Sequence, residues 1–188
     1  MKMKKTILTT LLLVCISCSL YAQKGYEKSI ELGGAFGVDE FKKKSFEIDM
    51  INGYRFNDYF SLGAGLGFCY TSALIYKTYS YEGLGEICLM PLYGRIKTNF
   101  TNSNVSPFIL VDLGYTFDLG ENFLRKTYDL MIEPAFGVDF KLNEKKLGFY
   151  FFVGYNLQNA SYTYMRELRN YLEKGTAESI SIKGGIRF

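Results

Sequence analysis

"YFSLGAGLGFCYT", Tyr59 to Thr71, decides the fold of this chain. Every second residue from Phe60 gives one face of Phe60, Leu62, Ala64, Leu66, Phe68 and Tyr70. The other face is Ser61, Gly63, Gly65, Gly67, Cys69 and Thr71. Successive side chains of a strand point to opposite sides of its sheet, so a two-residue period predicts a strand between two unlike surroundings.

The same alternation recurs on both sides of this stretch, giving eight runs. Ser29 to Phe36 carries Ile30, Leu32 and Phe36 on one face, and Ser45 to Phe56 carries Phe46, Ile48, Met50, Tyr54 and Phe56. After Phe60–Thr71 come Glu86 to Phe100, Phe108 to Phe117, Leu130 to Leu142, Leu147 to Gln158 and Ser179 to Phe188. Runs of about nine to twelve residues suit tilted strands crossing a bilayer, whereas nothing after Ala22 approaches the ~18 apolar residues of a spanning helix. The connectors alternate as well. Asn57–Asp58, Thr101–Ser106 and Asn143–Lys146 are short and rich in turn residues, while Ser72–Tyr81, Asp118–Asp129 and Asn159–Ala177 are long. An even strand number with short turns at one end and long loops at the other predicts an all-β, eight-stranded antiparallel up-and-down transmembrane β-barrel. Its short turns would be periplasmic and its longer loops extracellular.

Volume chooses the outside. Eight strands enclose a lumen just wide enough to be filled by side chains. The large Phe, Tyr, Leu and Ile faces of all the strands do not fit in that space, so they are expected to face lipid. The opposite face is small or charged and is expected to fill the lumen. It holds Glu47, Asp49, Asp112, Glu133 and Asp139 against Arg55, Arg95, Lys97, Lys141, Lys183 and Arg187. Buried charges are tolerable only when paired, so these residues are expected to plug the interior and fix register; an ion path is the functional alternative. Phe56, Phe60, Phe100, Phe140 and Phe188 are expected at the short-turn rim. Phe36, Phe68, Tyr70, Tyr115, Phe117 and Tyr155 are expected near the long-loop rim, as in the aromatic girdles of membrane barrels. Pro91 and Pro134 interrupt predicted strands, which predicts local bulges there.

The first residues, "MKMKKTILTTLLLVCISCSLYAQ", have a basic start, an apolar stretch and Leu20-Tyr21-Ala22 ahead of Gln23. This is the build of a secretory signal peptide over residues 1–22, leaving one mature domain, 23–188. Lipidation at Cys18 and an uncleaved anchor are the alternatives to cleavage after Ala22. Removing residues 1–22 takes away three of 22 basic residues and no acid, leaving 19 of each sign. The formal +3 thus belongs to the export segment, and nucleic-acid binding loses its electrostatic basis. Of the remaining cysteines, Cys69 falls on the inward phase and Cys88 on the outward one, which predicts free thiols rather than a disulfide.

The last strand, "SISIKGGIRF", alternates Ile180, Ile182, Gly184, Ile186 and Phe188 against Ser179, Ser181, Lys183, Gly185 and Arg187. It is expected to close the barrel against Ser29–Phe36. With this ending, the mature chain resembles the small bacterial outer-membrane β-barrel proteins, the porin-like or outer-membrane-protein β-barrel domain family of OmpA/OmpX type. "SPFILVDLGYTF", Ser106 to Phe117, is similar to the fifth strand of that family. The resemblance implies localisation in the outer membrane of a Gram-negative bacterium, contact with outer-membrane lipid and a monomeric barrel. It also implies that Ile180, Ile182, Gly184, Ile186 and Phe188 form the C-terminal signal read by the barrel-assembly machinery.

Chemistry is sparse. The chain has no His, so the His base that accompanies Ser in barrel lipases, acyltransferases and deacylases is missing, and an enzyme is not expected. Two mature Cys and no His offer no metal cluster, and no cofactor is expected. "GAGLG" lies within a period-two strand with no helix after it, so it is not a phosphate loop. In "YTYMRELRNYLEKG", Met165, Leu168, Tyr171 and Leu172 stand at helical spacing, which predicts a short amphipathic helix over the mouth. "YKTYSYEG" offers Tyr76, Tyr79 and Tyr81 as a loop surface. The expected function is therefore structural or surface-interacting, carried by the extracellular loops, with an unknown partner. A small porin or channel, and a periplasmic barrel holding an apolar ligand, are the other readings.

Overall fold

The structure, a computed structural model, describes residues 25–38, 44–77, 82–119, 128–142, 147–166 and 169–188. The expected signal segment and its cut after Ala22 lie outside the described residues. The strands are β1 (Tyr26–Gly37), β2 (Lys44–Arg55), β3 (Phe60–Lys77) and β4 (Glu82–Asn99), followed by β5 (Val105–Asp118), β6 (Tyr128–Lys141), β7 (Gly148–Arg166) and β8 (Arg169–Arg187). Each pairs antiparallel with its neighbour in sequence. β8 then pairs with β1 from Ser29↔Arg187 to Gly37↔Ser179, so the sheet closes into a barrel.

The pairing is staggered. From Lys28 the register runs through Asn52, Ala64, Gly94, Leu113, Ile132, Leu157 and Glu178. It returns to β1 at Val38, whose N–H donates to the Glu178 carbonyl, ten residues from where it began. Ten residues of ~3.3 Å climbed over eight strands ~4.8 Å apart set a tilt of about 40°, within the range of closed barrels.

The apolar faces look outward. Leu32, Phe46, Met50, Leu92, Leu113, Phe136, Phe151, Val153 and Ile182 are all exposed, while Glu31, Asp49, Asp112 and Ser181 on the alternate positions are buried. This removes the apolar-ligand reading, which needed the large faces inside. Aromatics pair at the short-turn end, where the Phe140 and Phe149 rings stack at 4.8 Å and Phe56 lies 5.7 Å from Phe60. Tyr115 and Phe117, 5.1 Å apart, lie at the other end.

Three expectations are corrected. Pro91 and Pro134 make no bulges: the β3–β4 register continues unchanged from Leu66↔Leu92 to Cys69↔Leu89, and β6–β7 from Ile132↔Leu157 to Ala135↔Gly154. Each proline still pairs on its other side, Pro91 with Thr116 and Pro134 with Val111, so the missing donor leaves a gap in one ladder only. The irregularities fall at Leu74/Tyr76 and Tyr128/Met131 instead. The helix expected across Met165, Leu168, Tyr171 and Leu172 is a β-hairpin, paired from Asn159↔Thr176 to Arg166↔Arg169, with Leu168 outside the described residues. Finally, Ser72–Tyr81 and Asn159–Ala177 are largely strand, because β3, β4, β7 and β8 run past the ends of their barrel neighbours. The free flank of β3 beyond Ser72 then pairs in parallel with that of β7, Tyr76↔Thr163 and Lys77↔Tyr164. These two strands stand on opposite sides of the ring, so the hairpins meet above it.

Candidate functional site in the barrel lumen

Inward positions of six strands, all but β3 and β7, build three layers of charge. Near the short turns, Asp139 on β6 accepts from Lys97 Nζ at 2.8 Å and from Arg187 Nη1 at 2.7 Å. Lys97 also sits 4.1 Å above the Phe108 ring and 4.5 Å from that of Tyr150, so its charge is shared between a carboxylate and two π-faces. In the middle, Arg95 grips Asp112 through Nε–Oδ1 and Nη2–Oδ2, both 2.7 Å. Its Nη1 and Nη2 donate to the two oxygens of Glu31, the second at 3.1 Å, and Tyr150 OH donates to Glu31 Oε1. This fork-on-carboxylate geometry is the strong form of ion pair. Towards the long hairpins, Lys183 Nζ lies 2.8 Å from Glu47, 3.0 Å from Asp49 and 3.6 Å from Glu133. Glu133 is held in turn by Ser181 Oγ at 2.6 Å and Asn156 Nδ2 at 3.1 Å.

The lumen is also more aromatic than the inward pattern of small and charged residues predicted. Phe108, Leu110, Ala135, Tyr150 and Phe152 form a buried cluster beside the lower ion pairs, and Ile51, Tyr93 and Met131 form another higher up. Such rings fit because glycines face them: a Cβ on Gly65 would stand 2.3 Å from the Tyr93 ring. Among the described residues, a cavity of about 30 Å³ at the Arg95–Lys97 level has room for a water or two, and one of about 20 Å³ beside Lys183 has room for about one.

Nine of the charges picked out from the sequence meet here: Glu47, Asp49, Arg95, Lys97, Asp112, Glu133, Asp139, Lys183 and Arg187. Arg55 instead pairs with Glu27 at 2.7 Å at the short-turn rim, and Lys141 donates to Asn102 at 2.7 Å on the surface. Glu31, central to the middle layer, was missed; its phase opposite Ile30 and Leu32 was the available signal. Of the loop-surface residues, Tyr76, Met165, Tyr171 and Leu172 belong to the paired hairpins, while Tyr79, Tyr81 and Leu168 lie outside the described residues. Cys69 is buried with its thiol 3.7 Å from Glu47, and Cys88 is half-buried; neither is in a disulfide. Among the described residues, no group of three or more His, Cys, Asp and Glu is arranged to hold a metal ion.

This closed, tilted, apolar-faced ring has the fold of the small eight-stranded transmembrane barrels of bacterial outer membranes. Two solved structures show the likeness: Neisserial surface protein A (NspA), with a TM-score of 0.52 and 17% identity, covering 87% of this chain and 96% of that one. The outer membrane protein OprG from Pseudomonas aeruginosa gives a TM-score of 0.51 at 18% identity over 88% and 97% of the two chains. No protein-family pattern and no curated protein matches this sequence.

Proposed function

We propose that this chain is a non-enzymatic, monomeric protein of the bacterial outer membrane that acts through the two joined hairpins above its barrel rather than by conducting solutes. The blocked lumen is the observation that carries this reading. The Arg95–Glu31–Asp112 layer crosses the interior with its side chains at most 5% exposed, and the cavities above and below it hold little more than water. The absence of His, and a Ser181–Glu133 contact that is fully buried, support a non-catalytic role. The alternation of Ile180, Ile182, Ile186 and Phe188 on the lipid side of β8 supports its use as the signal for the barrel-assembly machinery.

Planar bilayers test the blocked lumen. The full-length protein is expected to give no stable single-channel steps, and large, long-lived steps would replace this reading with that of a small porin. The hairpin is tested by joining Ala160 to Gly175, a cross-strand pair, through an Asn-Gly turn. The shortened barrel is expected to keep its folded gel mobility while cells displaying it lose adhesion to protein-coated surfaces. Unchanged adhesion would remove the hairpin's role.

A further inference from the structure

The upper lumen carries unbalanced charge. Among the described residues, the buried ionic groups are six acids (Glu31, Glu47, Asp49, Asp112, Glu133, Asp139) and four bases (Arg95, Lys97, Lys183, Arg187). The lower layer sets two bases against one acid and the middle layer one against two. In the upper layer one buried base, Lys183, meets three buried carboxylates. Net charge shut away from water is costly unless something neutralises it.

A second observation falls at the same place. The cavity of about 20 Å³ beside Lys183 is lined by Glu47, Asp49, Tyr93 and Asn156. Two polar atoms of that lining, Tyr93 OH and Asn156 Oδ1, have no hydrogen-bond partner, although each residue is only 4% exposed. The Asn156 amide cannot resolve this by turning over, because its Nδ2 is engaged by Glu133 at 3.1 Å. An amide oxygen and a phenol oxygen beside two carboxylates make an oxygen-only set of the kind hard cations select.

We propose that this cavity binds one alkali cation, largely stripped of its water, between Tyr93 OH, Asn156 Oδ1 and the carboxylates of Glu47 and Asp49. Its size and charge follow from its neighbours. The space holds about one water-sized sphere, and Lys183 Nζ, within 3.0 Å of both carboxylates, already offsets one of their two charges, so a single monovalent ion brings Glu47, Asp49 and Lys183 to neutrality. Glu133 is occupied by Ser181, Asn156 and Lys183 and is not a ligand. The site does not depend on the surface role proposed above.

The test is denaturant unfolding of the full-length protein in neutral detergent micelles, at one ionic strength, in sodium, potassium or N-methyl-D-glucamine chloride. At an alkali concentration ten times the dissociation constant, the folding equilibrium constant is expected to be about tenfold higher than in the bulky organic cation. Tyr93→Phe, which removes only an oxygen, and Asn156→Ala are each expected to diminish that gain. Loss of the alkali-specific gain in either variant sustains the site. Equal stability in the three salts would show that the cavity holds only water and would overturn the proposal, as would a gain undiminished in both variants.

Discussion

Arg95→Ala is expected to destabilise the barrel by about 3–5 kcal/mol, the penalty for removing one partner of a buried ion pair. Two carboxylates depend on this guanidinium: Asp112 through a bidentate contact at 2.7 Å, and Glu31, which is fully buried. Truncation leaves both charges buried with only the few waters that the vacated space can admit. Tyr150 OH alone cannot compensate Glu31, and Lys183 is committed to Glu47 and Asp49. The measurement is the urea midpoint of refolded protein in micelles, followed by gel mobility. Replacing the stranded acids as well, Glu31→Gln with Asp112→Asn, is expected to restore much of the loss, since the damage lies in the unpaired charges. Arg55→Ala, at the partly exposed Glu27 pair, is expected to change stability by less than about 1 kcal/mol. Equal effects at Arg95 and Arg55 would contradict this account of the lumen.

Gly33→Ala is expected to lower stability by about 3 kcal/mol and to reduce the yield of closed barrel, towards the upper end of overpacking effects. Gly33 lies at the closing seam, opposite Lys183 on β8 and Glu47 on β2. A Cβ there would stand 2.3 Å from the Ile182 carbonyl oxygen and 2.8 Å from Lys183 Cα. Both are backbone atoms, so the strands must part rather than a side chain swing away. Lys183 would move with them, carrying the upper ion pairs out of register. Gly94→Ala is the control, because its Cβ would meet nothing nearer than the Leu113 carbonyl oxygen at 3.9 Å. That variant is expected to fold in normal yield, as judged by the mobility difference between boiled and unboiled samples.

Strand phase made most of this architecture legible in the residues themselves. Ile30, Phe68 and Ile182 could be assigned outward, and Asp49, Arg95 and Lys183 inward, because a period of two admits no other arrangement once a narrow lumen is assumed. Which inward charge meets which was not legible, since partners such as Arg95 and Glu31 lie on strands joined only by the stagger of the closed ring. Lumen rings were overlooked for a related reason: Tyr93 and Tyr150 need glycines on neighbouring strands, and that match appears only with the register. The Met165–Leu172 segment misled because its apolar spacing fits a helix, whereas the paired strand that overrides it runs from β8 and, at Thr163, from β3 across the mouth. The prolines misled in the opposite direction, because a barrel strand has two ladders and one of them can lose a bond while the other holds the register.

The parallel contact of Tyr76–Lys77 with Thr163–Tyr164 has a consequence for the order of events during folding. Every other pairing joins strands adjacent in sequence, except the seam of β1 with β8. The hairpins can therefore form locally and early, at small entropic cost. The β3–β7 contact joins opposite walls whose positions are undefined until the seam has zipped, so it belongs to the end of the process. A nascent barrel thus carries two bare strand flanks for as long as it stays open, and hides them only once it is complete.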